Sequence, residues 1–325
     1  MLHPTIEKAY GILRGKIPGR ELFMELSTLQ GEDVIDLISL AHKVKNKFSP
    51  NSHVCTIMNA KSGACSEDCR FCAQSTHHDS AIERFPLAGN DVILQKAAET
   101  FRGNVDSFGI VTSGTGYIKI TGEFKQIMDV IDQIHETFPD KNVCASLGHL
   151  SEETARELSK HNIAHYNINI QTNPAYYREL ISTTHTVNDR IRTILLLKKN
   201  SVKICAGGII GLGETMNDRL EMAFALKDLD VDVIPLNVLI PIPGTPLEKQ
   251  EPLPAVDIAK TFALFRLIHP TTIIKFAAGR ETRMKDFQGL IMLTANGLIT
   301  GGYLTTRGRE GKDDEYFMEE LRRFR

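Results

Sequence analysis

A chain of 325 residues, 42% of them hydrophobic and with 38 basic against 40 acidic side chains, has the length and apolar content to bury a large core in one or two domains. Its formal net charge of −2 excludes the broad positive field that gathers nucleic acid or an anionic membrane surface, which leaves small-molecule chemistry as the expectation. The N-terminus "MLHPTIEKAYGILRGKIPGR" has no apolar signal core and no apolar run approaches the roughly 18 residues of a membrane span, so the expected setting is cytoplasmic, with neither nucleic acid nor membrane as partner.

Residues 4 to 48 are amphipathic and charge-rich, and read as a helical extension, residues 1–48. From residue 49 short β-branched runs alternate with longer helical patterns. The runs are "HVCTIM", "VDSFGIVTS", "KNVCASLG", "AHYNINIQ", "SVKICAGGI", "VDVIPLNVLI", "TTIIKFAAG" and "ANGLITGG". Helix-like segments such as "SEETARELSKH" and "NDRLEMAFALKDL" lie between them; the first offers Ser151 as an N-cap, followed by Glu152 and Glu153 where negative charge suits the helix dipole. Strands separated by helices imply right-handed βαβ units and a parallel sheet, most economically closed as an α/β (βα)8 TIM-type barrel over residues 49–308. A doubly wound open sheet is the alternative. The tail, residues 309–325, reads as a solvated, charge-laced helix.

Polar or sulfur-bearing residues recur in these runs with period two: His53 and Cys55; Asn142, Cys144 and Ser146; Asn167, Asn169 and Gln171; Lys203 and Cys205. Their neighbours Val143, Ile168, Ile170 and Ile204 are apolar. Side chains alternate across a strand, so each run has one apolar face for the helices and one polar face for the lumen, although a solvent-facing edge strand would show the same pattern. A barrel interior is normally packed with aliphatic side chains. A polar lining therefore implies a cavity with a polar ligand, and it brings Cys55, Cys144 and Cys205 towards one another.

Six cysteines in a reducing compartment suggest metal or redox chemistry, or buried small hydrophobes. Three of them, Cys65, Cys69 and Cys72, stand in "SGACSEDCRFCAQS" with the spacing C-x3-C-x2-C, just past the first strand and hence at the end of a barrel where chemistry is kept. Structural zinc takes four ligands, and the nearest histidines, His77 and His78, lie on a polar stretch that reads as surface. A [4Fe–4S] cluster on three thiolates instead leaves one iron open. The loop resembles that of the radical S-adenosylmethionine (SAM) superfamily, which implies a [4Fe–4S] cluster whose open iron binds SAM, reductive cleavage to a 5′-deoxyadenosyl radical, and hydrogen abstraction from unactivated carbon. By the same resemblance Phe71 packs beside adenine.

The stretches "HYNINIQTNPAYY", "VKICAGGIIGLGET", "PLNVLIPIPGTPL", "FAAGRE" and "GGYLTT" extend the likeness from residue 35 to residue 308, and on them the chain resembles the biotin synthase family. This implies sulfur insertion into dethiobiotin, one SAM for each C–H bond broken, sulfur from an auxiliary cluster, an electron donor such as flavodoxin or ferredoxin, and a homodimer. It also implies that Asn167, Asn169 and Gln171 contact ribose and substrate, with Gln171 in place of an expected aspartate. Arg190 approaches the SAM carboxylate, Ile209 lies against adenine and Asn237 holds the ureido ring. Gly207 and Gly208 are expected to let backbone approach cluster or cofactor. The dull alternative is that such asparagines satisfy loop backbone. The auxiliary site departs from the usual pattern: Gly109 replaces a cysteine, Lys275 replaces an arginine ligand, and Cys55 joins Cys144 and Cys205. That departure resembles the anaerobe-type (type II) branch, whose auxiliary centre is [4Fe–5S] where the usual one is [2Fe–2S]. Another radical SAM mutase or maturase, or a non-catalytic iron–sulfur sensor, is the competing reading.

Overall fold

The β-branched runs pair side by side as parallel strands, and the amphipathic stretches between them return the chain along the outside. The computed structural model describes residues 1–301 and 311–323. Three N-terminal helices, α1 (Pro4–Ala9), α2 (Arg20–Ser27) and α3 (Glu32–Phe48), precede the strands. The strands are β1 (His53–Lys61), β2 (Ser107–Thr112), β3 (Asn142–Ser146), β4 (His165–Asn167), β5 (Ile204–Cys205, resuming at Gly208–Ile210), β6 (Val233–Val238), β7 (Ile273–Phe276) and β8 (Gly297–Thr300). All pair in parallel, β1 with both β2 and β8, and β7 with both β6 and β8, so the sheet closes on itself. The (βα)8 barrel is what forms, and closure rules out the open sheet.

The returning helices are α4 (Asn90–Phe101), α5 (Gly122–Thr137), α6 (Glu152–Leu158), α7 (Val187–Lys199), α8 (Met216–Asp228), α9 (Ala255–Ile268) and α10 (Gln288–Thr294). Ser151 caps α6 as expected, accepting from the Thr154 N–H, while Thr186 with Asp189 and Thr215 with Asp218 start α7 and α8 by the same reciprocal pairing. Helix α9 is buried from Ile258 to Ile268 on every face, because α2 and α3 cover the side turned away from the barrel.

The seam where first and last strands meet is held by two buried polar side chains. Asn296 Nδ2 donates to Ser49 Oγ and to the Ser49 and Asn51 carbonyls, while its Oδ1 accepts from Arg266 and from the Ile274 N–H. Arg266, fully enclosed, spends its remaining N–H groups on the carbonyls of Thr294, His269, Pro270 and Thr272. Its guanidinium satisfies backbone groups that the strand ends would otherwise bury unpaired.

Several expectations need correcting. Asn142 and Lys203 stand exposed at the feet of their strands, because the lumen begins only one pleat further in, at Cys144 and Cys205. At Gly207 and Gly208 the close approach is to neighbouring protein: a Cβ on Gly207 would sit 2.0 Å from the Pro235 carbonyl oxygen, and one on Gly208 would sit 2.6 Å from that of Gln171. The tail forms helix α11 (Gly311–Arg322), but it is docked where a solvated helix was expected, since buried Asp314 meets the Arg280 guanidinium at 2.8 Å. Residues 302–306 of "GGYLTT" and the boundary at 308 lie outside the described residues. No helix among the described residues is long and apolar enough to cross a membrane.

Candidate active site

The lumen holds a cavity of about 380 Å³, and every residue expected at the site lines it: the six cysteines, Phe71, Asn167, Asn169, Gln171, Arg190, Ile209, Asn237 and Lys275. The cysteines fall into two triads, one on the rim loop and one on the strands.

The rim triad sits on a loop folded back on itself. Cys65 N–H donates to the Gln74 carbonyl (3.1 Å), Thr76 N–H donates to the Cys65 carbonyl (2.8 Å) and Cys72 N–H donates to the Cys69 carbonyl (2.9 Å). His77 and His78 face the loop from outside and bond the Ser66 and Cys69 carbonyls. Glu67 and Asp68, between the first two cysteines, tie the loop to residues 182–185. Asp68 accepts from Ser182 Oγ (2.5 Å) and from the N–H groups of Thr183 (2.9 Å) and Thr184 (3.2 Å). Partial burial opposes its charge, but these bonds outweigh it and hold the carboxyl well below the usual range. Glu67 accepts from His185 Nδ1 at 2.7 Å, which leaves Nε2 of that ring as an acceptor towards Tyr177 and Arg190. Arg190, on α7, also donates to the Tyr177 hydroxyl (2.5 Å) and the Asn169 carbonyl (3.2 Å). One chain of contacts therefore links the cysteine loop to the guanidinium that faces the cavity.

The lumen triad follows from barrel register. Cys55 is on β1, Cys144 on β3, Cys205 on β5 and Lys275 on β7. Barrel interiors are built in layers of four side chains from alternate strands, and these four make one such layer. Lys275 Nζ lies 2.7 Å from Cys55 Sγ. Burial disfavours the ammonium, yet negative charge on the sulfurs of Cys55, Cys205 and Cys144 outweighs it and raises the Lys275 pKa. Burial also pushes the thiols up, Cys69 and Cys144 to about 12 and Cys72 and Cys205 to about 11. Such thiols ionise only against a partner strong enough to offset burial, as iron is. Gly109, between β1 and β3, leaves its share of the lumen open.

The strand asparagines are partly committed to the protein itself, so the dull alternative holds in part. Asn167 donates to Asn169 Oδ1 and the Cys205 carbonyl, both at 3.1 Å, and Asn169 Oδ1 accepts from the Gly207 N–H at 3.0 Å, across the break in β5. Asn237 donates to the Gly208 carbonyl and accepts from the Ala278 N–H, both at 3.1 Å. A carboxamide carries two hydrogens and two lone pairs, so one of each remains at Asn237 for a ligand. Gln171 is held in the left-handed region at φ +70°, with its buried Oε1 unpartnered.

Sequence reasoning missed His165, which lines the cavity two residues before Asn167 on the same strand face. Extending the period-two pattern back by one step finds it. It also missed His149, whose buried Nδ1 lacks a partner, and Gln74; neither lies on a barrel strand, so no periodicity marks them.

The residues fit two iron–sulfur groups and a nucleoside. Both triads face the cavity, and among the described residues no three His, Cys, Asp or Glu side chains close round a single metal ion. The buried Gln171 Oε1 has no donor among the described residues, which leaves it free to accept from a bound group.

Comparison with known proteins points the same way. Residues 60–226 match the radical SAM superfamily and residues 235–322 the biotin and thiamin synthesis associated domain. The chain is 57% identical to the biotin synthase of Chlorobium phaeobacteroides, over 99% of this chain and 98% of that protein. It is 54% identical to that of Chlorobaculum tepidum at the same coverage. Among solved structures, a maturase of the [FeFe]-hydrogenase superposes with a TM-score of 0.79 at 16% identity, covering 98% of this chain and 72% of that one. Methylornithine synthase does so at 0.76 and 16%, covering 91% and 85%. At such identities these two speak for the barrel alone.

Proposed function

Since the chain belongs to the biotin synthase family of the radical SAM superfamily, and so inserts sulfur into dethiobiotin to form biotin with a reductant supplying electrons, we propose how its two triads divide the work. Cys65, Cys69 and Cys72 hold the [4Fe–4S] cluster that binds SAM, and Cys55, Cys144 and Cys205 hold the auxiliary cluster. The observation that carries this reading is the presence of both triads on the wall of one cavity. When bound, the first group would supply the electron that releases a carbon-centred radical from SAM, and the second would supply sulfur. Everything else falls to the chain's own side chains, and is mostly positioning.

Arg190 presents its guanidinium fork to the SAM carboxylate from a scaffold of Tyr177, His185 and the Asn169 carbonyl. Gln171 offers Oε1 to a ribose hydroxyl, and Ile209 and Phe71 flank adenine. Asn237, braced at both ends by backbone, turns its spare donor and acceptor to the ureido ring. Asn167 and Asn169 close the wall between that ring and Cys205.

The auxiliary centre is read as [4Fe–5S] in preference to [2Fe–2S]. Its support is a layer of three thiols and an ammonium, where the older arrangement needs a guanidinium ligand. Lys275, bonded to Cys55 Sγ, acts as a counter-charge and does not ligate iron. In Lys275→Met, auxiliary iron is expected to stay while its potential shifts; loss of that iron would argue for ligation. An anaerobic, reducing cytoplasm, flavodoxin or ferredoxin as donor, and a homodimer complete the proposal. The test is anaerobic incubation with dethiobiotin, SAM and a strong reductant. Biotin and 5′-deoxyadenosine should appear together on about eight irons per chain, the sum of two four-iron clusters; deoxyadenosine without biotin would sink the reading.

A further inference from the structure

Gln74 lines the cavity two residues past Cys72 and is only 4% exposed. Its Oε1 accepts from the Gly63 N–H and from Ser62 Oγ. A backbone N–H can only donate, so the orientation of this carboxamide is dictated by Gly63 and cannot be reversed. Nε2 is thereby turned away from both partners, and it is buried without an acceptor among the described residues. Buried donors are seldom left so. What this one needs is an acceptor arriving in the cavity beside the cysteine loop.

Gln74 belongs to the cysteine loop itself, its carbonyl accepting from the Cys65 N–H at 3.1 Å. Arg190, the group suited to a carboxylate, is separately held by Tyr177 and His185. Resting on the reading that Cys65, Cys69 and Cys72 ligate the SAM-binding cluster, we infer that Gln74 Nε2 donates a hydrogen bond to a sulfur of that cluster and thereby raises its reduction potential. Reduction adds negative charge to the cluster. A donor fixed on its sulfur stabilises the reduced form more than the oxidised one. Gln74 thus makes the cluster easier to reduce without ligating iron.

The test is a reductive titration, followed by electron paramagnetic resonance, of the full-length holoenzyme without SAM. Gln74→Met should retain the rim iron and show a downward shift in midpoint potential. An unchanged potential with that iron retained overturns the inference. So does an unchanged SAM-free potential joined to weaker SAM binding, which would assign the amide to the SAM carboxylate. If Gln74→Met does not fold or load iron, wild-type protein labelled with amide-15N glutamine still decides: a 15N coupling to the reduced rim cluster, abolished in Gln74→Glu, is expected, and its absence refutes the bond. Cys69→Ala separates this from failure of the ligand assignment, because it should lose the rim signal whatever Gln74 does.

Discussion

At the scale of single residues, the lumen layer of Cys55, Cys144, Cys205 and Lys275 shows how identity and surroundings divide responsibility. A thiol held at a pKa of about 12 by burial, as at Cys144, is inert by itself and becomes a ligand only where neighbours share a metal charge. Cys144→Ala should therefore remove the auxiliary iron and abolish biotin formation while leaving SAM cleavage measurable, an outcome read by iron analysis beside deoxyadenosine yield. Arg190→Lys keeps a charge but loses the fork that meets a carboxylate at two points. SAM affinity should fall by about tenfold, or roughly 1.4 kcal/mol, measured by equilibrium binding to the reconstituted enzyme.

At the scale of elements, the rim loop and the start of α7 behave as one unit. Asp68 carries no ligand role, yet it takes hydrogen bonds from Ser182, Thr183 and Thr184 and so fastens the cysteine loop to the segment that presents Arg190. Truncation leaves the buried Ser182 hydroxyl without its carboxylate partner and hands the Thr183 and Thr184 N–H groups to water. Asp68→Ala should cost about 1–3 kcal/mol of stability and speed loss of rim iron on gel filtration, with the auxiliary iron unaffected. A uniform loss of both irons would show that the loop is not a separate unit. The spacing C-x3-C-x2-C identifies this loop in the bare chain, but its clamp joins residues 116 positions apart, which no local pattern contains.

At the scale of the whole molecule, closure of the barrel rests on a seam that hydrophobic pattern does not reveal. Arg266 gives all its hydrogen bonds to carbonyls and Asn296, and Arg266→Met should lower stability by about 3–5 kcal/mol, since several buried acceptors lose their donor together. Thermal denaturation checks it. His269, in the same region, is buried and bonded to the Ala223 carbonyl at 2.9 Å, and burial pushes its pKa down to about 3. Its ordinary value lies near 6.5. Between those limits the unfolded chain binds a proton that the folded chain refuses, so stability falls as pH drops from 6.5 towards 3, by at most about 1.4 kcal/mol per pH unit from this group. His269→Gln should flatten that slope in denaturant titrations; an unchanged slope would refute the assignment.

The amino-acid order alone determined the alternation of strand and helix, the cysteine loop, and the polar faces of the lumen strands. These are local or periodic signals, set by the two-residue repeat of a strand and the fixed spacing of thiols in a loop. Asn142 and Lys203 share the alternation of Cys144 and Cys205 yet meet solvent, because periodicity assigns a face and says nothing about depth along the barrel axis. Gln74 carries no periodic mark, and only its contact with Gly63 fixes which way its carboxamide is turned. Depth and register were decided by the tertiary structure. Closing eight tilted strands staggers each against the next, and that stagger, a property of all the pairings at once, brings Cys55, Cys144, Cys205 and Lys275 to one level.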